Sequence, residues 1–392
     1  MKRFAKFTLG FLGIILILAA LYVFLILPHK VDNKLNQVIA HDAYPISKEV
    51  TEFHKTLRVA DLHADTLLWK RNPAKRNTVG QTDMPRLRDG GYALQVFSAV
   101  TFVPANMKHH GNTMNKDRMV LLTFIQEWPA RTWHSIFERA RYQAQRLQKL
   151  ERQSGGKFVL ARTKTDLRKA LEARQSDRDI LIGILETEGA HPLEGNLNNI
   201  DKLYAEGYRM FGLQHFFDNA LGGSLHGVSD AGLTNFGRNV VRKMGEKGII
   251  IDLAHSSVKT VKDVLAMTKQ PLLISHTGIL SLCKHPQRNI PDRYMQEIAD
   301  RGGLIGIGFW ETANCDPTPD GIAKMLIYGA KTFGVDAIAL GSDFDGAVTT
   351  KIDATEISTI TDALLRQGMS KPDITKVMGE NQIAFFLNNL PN

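Results

Sequence analysis

Along the chain, short apolar runs alternate with longer stretches in which apolar residues recur every three or four positions. Eight short, β-branched runs predict strands over 58–64, 92–99, 180–187, 208–214, 248–254, 271–275, 303–309 and 336–342. Between them, 166–174 alternates charge with leucine at helical spacing, 234–247 repeats apolar residues at three and four, and 372–390 does so with charges between. Eight strands with helices between them predict an α/β chain folded as a (β/α)8 TIM-type barrel. The section 105–157 exceeds an ordinary crossover and predicts extra helices over the rim, with Trp128 and Trp133 as packing residues.

The amino terminus breaks this pattern. Thr8 to Leu27 carries no charge, close to the ~20 residues an α-helix needs to cross a bilayer. A cleaved signal peptide is the competing reading, given Ala19 and Ala20, but its apolar core is normally shorter and no small-x-small site follows Leu27. Lys2, Arg3 and Lys6 precede the run, so the positive-inside tendency leaves the amino terminus in the cytoplasm and the remainder across the membrane. For a bacterial protein that is the inner membrane, with the body facing the periplasm. The expected organisation is a basic terminus over 1–7, a transmembrane signal anchor over 8–27, a polar linker over 28–48 and a catalytic barrel over 49–392.

Composition adds limits. With 392 residues, 43% of them apolar, one barrel-sized domain with a short appendage is expected rather than two average domains. The net charge of +9 is spread through helical stretches without aromatic interleaving. It reads as solvated surface with a preference for anionic lipid headgroups, not as a nucleic-acid site. Two cysteines, Cys283 and Cys315, make neither a disulfide scaffold nor a zinc site. They are either two buried thiols or, in an exported domain, one disulfide.

The predicted strands end on metal-capable residues. His63 and Asp65 close Val-Ala-Asp-Leu-His-Ala-Asp, and Glu188 closes Ile-Leu-Ile-Gly-Ile-Leu-Glu-Thr-Glu. His255 closes Gly-Ile-Ile-Ile-Asp-Leu-Ala-His, and His276 closes Pro-Leu-Leu-Ile-Ser-His. The carboxyl ends of barrel strands are where a site assembles, and scattered core histidines have no reason to keep that position. His63 and Asp65, two apart on a strand, point to one side and can chelate one metal. Glu188 follows a strand too apolar for an unpaired carboxylate, and bridging two cations would satisfy it. Glu186, two residues earlier, is expected to have a supporting or structural duty. Imidazole and carboxylate ligands without thiolate suit zinc, with manganese or cobalt also compatible.

Asp343, in Gly-Ser-Asp-Phe-Asp-Gly, is the expected proton acceptor for an attacking water, with Asp345 as the competing turn or cap residue. His215, closing Met-Phe-Gly-Leu-Gln-His, can donate to a developing oxyanion, or be a core histidine bonded to a backbone carbonyl. Arg288 can clamp a substrate carboxylate, or sit in a surface salt bridge. His109, His110 and His226 read as exposed or supporting residues, and His191 as one that orients Glu188.

Together these residues resemble the membrane dipeptidase (renal dipeptidase) family of metallopeptidases, a branch of the amidohydrolase-type barrels. The resemblance runs from about 56 to 388. It rests on Asp-Leu-His-Ala-Asp-Thr (61–66), Asp-Met-Pro-Arg-Leu-Arg-Asp-Gly-Gly (83–91), Glu-Gly-Ala-His (188–191), Ile-Asp-Leu-Ala-His-Ser-Ser (251–257), Ser-His-Thr (275–277), Arg-Asn-Ile-Pro-Asp (288–292) and Gly-Ser-Asp-Phe-Asp-Gly (341–346). It implies two Zn2+ per chain, one on His63 and Asp65, the other on His255 and His276, with Glu188 bridging. It also implies that Asp343 shuttles the proton and contacts the substrate amino group, that His215 polarises the scissile carbonyl, and that Arg288 holds the free carboxylate of a dipeptide. A disulfide between the segments holding Cys283 and Cys315 is implied as well.

Two departures stand out. Renal members place a tyrosine on the substrate carboxylate after the seventh strand, whereas 308–315 has none and offers Trp310 as the nearby N–H donor. Their lipid anchor is carboxyl-terminal, but no apolar tail precedes Asn392, so the amino-terminal helix is expected to anchor.

The expectation is therefore a membrane-tethered zinc dipeptidase using a metal-bridging hydroxide, with dipeptides and membrane lipid as partners, no nucleic acid, and a homodimer left open. The alternatives are a metal-dependent amidohydrolase acting on another small amide, N-acyl amino acid or lactam, and a catalytically silent binding protein.

Overall fold

The computed structural model describes residues 2–392, with the side chains of Lys2, Arg3 and Ala5 outside the description. Met1, within the basic terminus expected over 1–7, also lies outside the described residues. All eight expected strands are present: β1 (Val59–Ala64), β2 (Tyr92–Val100), β4 (Leu181–Glu188), β5 (Tyr208–Gly212), β6 (Ile250–Asp252), β7 (Leu273–Thr277), β8 (Leu304–Ile307) and β9 (Ile338–Leu340). A ninth, β3 (Phe158–Leu160), pairs with the first residues of β4 and was too short to leave a periodic signal. All pairings are parallel, and β2 bonds to β4 from Leu94↔Ile182 to Val100↔Glu188, closing eight strands into a barrel. Every residue of these eight strands is buried, because the interior covers one face and the helices the other.

The helices begin where side chains can cap them. Thr163 accepts from the amide of Asp166 at the start of Lys164–Ala173, and Thr234 from that of Gly237 at the start of Asn235–Glu246. The stretch 372–390 is broken, with a π-helical turn over Lys376–Glu380 between Lys371–Thr375 and Asn381–Asn389. Gly379 in that turn lies against the carbonyl of Arg58, where a Cβ would stand 1.8 Å away, so the turn seats the chain on the start of β1. The long section after β2 forms helices at Met119–Ile125 and Ile136–Gln153. Trp128 is buried with Leu68, Trp69, Val100 and Met119.

At the amino terminus, helix Lys2–Leu21, a π-helical turn Tyr22–Ile26 and helix Leu27–Leu35 follow without a break. The span Lys6–Leu35 is long and apolar enough to cross a membrane, and no part of its most apolar window is buried inside the molecule. The segment expected as a polar linker, 28–48, is thus helical to Leu35 and docked on the barrel. Asp32 is buried and pairs with Arg71 Nε at 2.9 Å, Asn36 Oδ1 accepts from the amide of Ala347, and Val38 bridges Thr350 in parallel.

Candidate active site

The carboxyl ends of the strands bring eight of the expected site residues together. His63 lies on β1, with Asp65 just beyond it, Glu188 ends β4, and His276 lies on β7. His215, His255 and Asp343 each sit three residues past the end of β5, β6 and β9, and Arg288 comes from the loop after β7. Glu188 is central: Oε1 lies 3.1 Å from His255 Nε2, 3.4 Å from His276 Nε2 and 3.6 Å from His63 Nε2, and Oε2 lies 3.3 Å from His215 Nε2. His63 Nε2 is also 3.6 Å from Asp65 Oδ1 and 3.9 Å from Asp343 Oδ1.

The local backbone explains the placement. His255 (φ 63°) and Asp343 (φ 61°) both adopt the left-handed conformation, which turns the chain sharply as it leaves the strand. Non-glycine residues pay for that conformation and keep it where surroundings enforce it. Gly189 (φ 78°) follows Glu188, and a Cβ there would meet the His191 ring at 2.8 Å, so only glycine lets the chain turn away.

Hydrogen bonds assign the imidazole tautomers. The carbonyl of His109 accepts from His226 Nδ1 at 2.8 Å, leaving His226 Nε2 to accept from His255 Nδ1 at 2.9 Å. Ser275 Oγ donates to Asp252 Oδ2 at 2.6 Å and therefore accepts from His276 Nδ1 at 2.7 Å. Glu186 Oε2 accepts from His63 Nδ1 at 3.1 Å. In the neutral form of all three rings the Nε2 lone pair is thus bare and aimed inward. Those of His255 and His276 face each other at 3.0 Å, beside Glu188 Oε1.

Electrostatics divide the imidazoles by their neighbours. Burial pushes the imidazoles of His215, His255 and His276 well below the usual range, so these rings are neutral at pH 7, whereas at His63 burial is outweighed by Asp65 and Glu186, which raise the ring well above it. Burial, then Asp65, raises Glu188 well above its ordinary value, and burial raises Asp343 to about 8. At both carboxyls burial and the neighbouring carboxylates outweigh the opposing pull of His63 and, at Asp343, of Arg288. His63 Nε2 and Asp65 Oδ1 are buried polar atoms with no hydrogen-bond partner. Converging neutral imidazoles and carboxylates of this kind satisfy divalent cations and nothing apolar. The groups His63–Glu188–His276, Glu188–His215–His255 and His63–Asp65–Asp343 each bring three ligand atoms within 4.8 Å of one another.

The site opens into a cavity of about 690 Å³ lined by Asp65, Glu188, His215, Arg288, Trp310 and Asp343, among others. Arg288 is buried rather than in a surface salt bridge. Its Nη2 donates to the carbonyl of His276 at 2.5 Å, its guanidinium lies 4.9 Å from the centre of the Trp310 ring, and Nη1 has no protein partner. Cys283 and Cys315 form a disulfide with a Cα–Cα distance of 5.4 Å, tying the loop of Arg288 to the loop of Trp310.

One sequence expectation changes, and two open alternatives resolve. His191 does not orient Glu188: it packs between Phe102 and Phe217, and Asn219 donates to its Nδ1 at 3.1 Å. Asp345 points away from the cluster and pairs with Arg71. His226, read as exposed or supporting, is buried and supports His255. Sequence reasoning also missed Asp61 and Asp252. Asp61 accepts from Ser342 N and Oγ at 2.7 and 2.6 Å, and Asp252 does the same for Ser275 at 2.8 and 2.6 Å. Each fixes the strand end that carries Asp343 or His276, and an aspartate inside an apolar strand was the available signal.

Known proteins carry the same architecture. A family model described as membrane dipeptidase (peptidase family M19) matches residues 47–386. Dipeptidase verJ of Clonostachys rogersoniana is 27% identical over 310 residues, covering 77% of this chain and 74% of the relative. The crystal structure of dipeptidase AC, a family M19 metallopeptidase, superposes with a TM-score of 0.71 at 24% identity, over 86% of this chain and all of that one. A metallopeptidase from Rhodobacter sphaeroides, solved with a phosphinate mimic of L-Ala-D-Ala, gives 0.69 at 24% identity, over 85% of this chain and 99% of that one.

Proposed function

The chain belongs to the membrane dipeptidase family, peptidase family M19, and from that membership we propose that it is a zinc dipeptidase held at a membrane by its amino-terminal helix. The carrying observation is the convergence of the Nε2 atoms of His63, His255 and His276 on one oxygen of Glu188. His63, Asp65 and Glu188 would hold one ion, and Glu188, His255 and His276 the other. Bound zinc supplies Lewis acidity toward a carbonyl and lowers the pKa of water toward neutrality.

The chain's own residues do the rest. Arg288, with Nη1 free, binds the carboxylate of a short peptide, and Trp310 packs beside its guanidinium. The neutral His215 presents a ring N–H to the scissile carbonyl oxygen. Asp343, ionised when cations lie beside it, would take the proton of the attacking water and return it to the leaving nitrogen, and before that step its carboxylate would pair with the substrate ammonium. Arg288 and Asp343, lining one cavity, favour a short zwitterion with both its charges met. The uncharged stretch 8–27 with Lys6 before it supports a cytoplasmic amino terminus and an exported catalytic body.

The test uses the full chain in detergent, stripped by a chelator and reloaded with zinc. L-Ala-D-Ala and L-Ala-L-Ala are assayed beside an amino-acetylated dipeptide and a Glu188→Gln variant. Zinc-dependent hydrolysis of free dipeptides alone, lost in the variant, is expected. Preferential hydrolysis of the acetylated compound would overturn the substrate and favour an amidohydrolase of N-acyl amino acids.

A further inference from the structure

The helix Met119–Ile125 is amphipathic in an unusual sense, since its outward face is apolar. Met119, Thr123 and Ile125 are buried against the barrel rim, whereas Val120, Leu121 and Phe124 are 37%, 67% and 42% exposed. The loop leading into it exposes Met107 and Met114 as well. A soluble surface scatters such residues singly, so their concentration on one excursion marks a contact.

Its neighbour says which contact. The Phe124 ring lies 5.3 Å from that of Phe24, and Lys70, which pairs with Glu127, donates to the carbonyl of Phe24 at 2.7 Å. Phe24 stands three residues before the end of the uncharged run 8–27, so at 1.5 Å per residue it lies roughly 5 Å inside the apolar segment. The face of Val120, Leu121 and Phe124 therefore continues the exposed apolar surface of Leu9, Leu16 and Ile17. Lys116 and Arg118, both exposed, flank it where headgroups would be.

We propose that Met119–Ile125 is a second, interfacial membrane contact, with Leu121 and Phe124 seated at the boundary of headgroups and acyl chains beside the amino-terminal helix. The inference rests on the reading of that helix as a membrane anchor. Its consequence concerns access: Met107, Lys108 and His109 of the same excursion line the catalytic cavity, so the cavity opens along the bilayer surface.

Both native cysteines are in the disulfide, so Leu121→Cys adds one reactive thiol. That variant carries an environment-sensitive fluorophore and is reconstituted in phosphatidylcholine–phosphatidylglycerol vesicles containing nitroxide lipids. Leu16→Cys reports on the anchor, Arg152→Cys on solvent, and Val120→Cys replaces Leu121→Cys if the latter loses dipeptide hydrolysis. The expected result is quenching at Leu121 by a shallow nitroxide, at Leu16 by a deep one, and at Arg152 by neither. Quenching at Leu16 with Leu121 as unquenched as Arg152 overturns the contact and leaves the anchor standing. Quenching at neither position overturns both. A blue shift at Leu121 without quenching means that protein covers the face, and also overturns the proposal.

Discussion

Arg71 joins the anchor helix to the catalytic rim, and replacing it with methionine isolates that joint. Its side chain is 5% exposed, with Nε 2.9 Å from Asp32 Oδ2, Nη2 against Asp345 Oδ2 and Nη1 donating to the carbonyl of Thr82 at 2.5 Å. Gly80 (φ 77°) covers the guanidinium so closely that a Cβ would meet its Cζ at 2.4 Å. Arg71→Met keeps the stem but leaves two buried carboxylates without their shared cation. Each retains one hydrogen bond, from Asn36 to Asp32 and from the amide of Gln81 to Asp345.

Removing one partner of a buried pair costs about 3–5 kcal/mol. A body of about 345 residues unfolds with roughly 0.7 kcal/mol/K, so the melting temperature should fall by about 4–7 °C. The assay is thermal unfolding of the full chain in detergent by tryptophan fluorescence. A triple variant with Asp32→Asn and Asp345→Asn should recover most of the loss, because it removes the stranded charges. A fall below about 1 °C, or no recovery in the triple variant, would refute the account of the pair.

Three further outcomes follow from the same geometry. Ser275→Ala removes the acceptor that fixes the His276 tautomer and should weaken zinc binding about 10- to 100-fold in a chelator-competition titration; an unchanged affinity would mean that Asp252 and Ser275 do not orient the ring. Cys283→Ser with Cys315→Ser opens a loop of 32 residues, which should cost about 3–4 kcal/mol and raise KM more than it lowers kcat, as the loops of Arg288 and Trp310 loosen. Burial holds His54 below its ordinary value while Gly90 O and Thr361 bond it. The unfolded chain then binds more protons, and stability drops as pH falls through about 6.5; His54→Gln should flatten that slope in unfolding titrations from pH 7 to 5.

The metal-capable residues were legible because each one ends an apolar run, and strand exits in a closed barrel converge. His63, Glu188 and His276 could therefore be grouped before any coordinates. Their supports were not. Nothing local distinguishes His226, which holds His255, from His109 and His110 in a similar polar loop, since the difference is a contact across 29 residues. His191 misled for the converse reason: three residues from Glu188 in sequence, it is turned away by the left-handed Gly189 into an aromatic pocket.

By itself the sequence determined the class of the fold, the order of its strands and the chemical type of the site, because hydrophobic periodicity and residue type are local properties. Tertiary structure alone decided the rest. It chose which nitrogen of each imidazole is bare, docked the presumed linker onto the rim through Asp32, and set Met119–Ile125 beside Phe24. Those outcomes depend on pairings between residues far apart in the chain, whose cost of closure is repaid only once the barrel has formed.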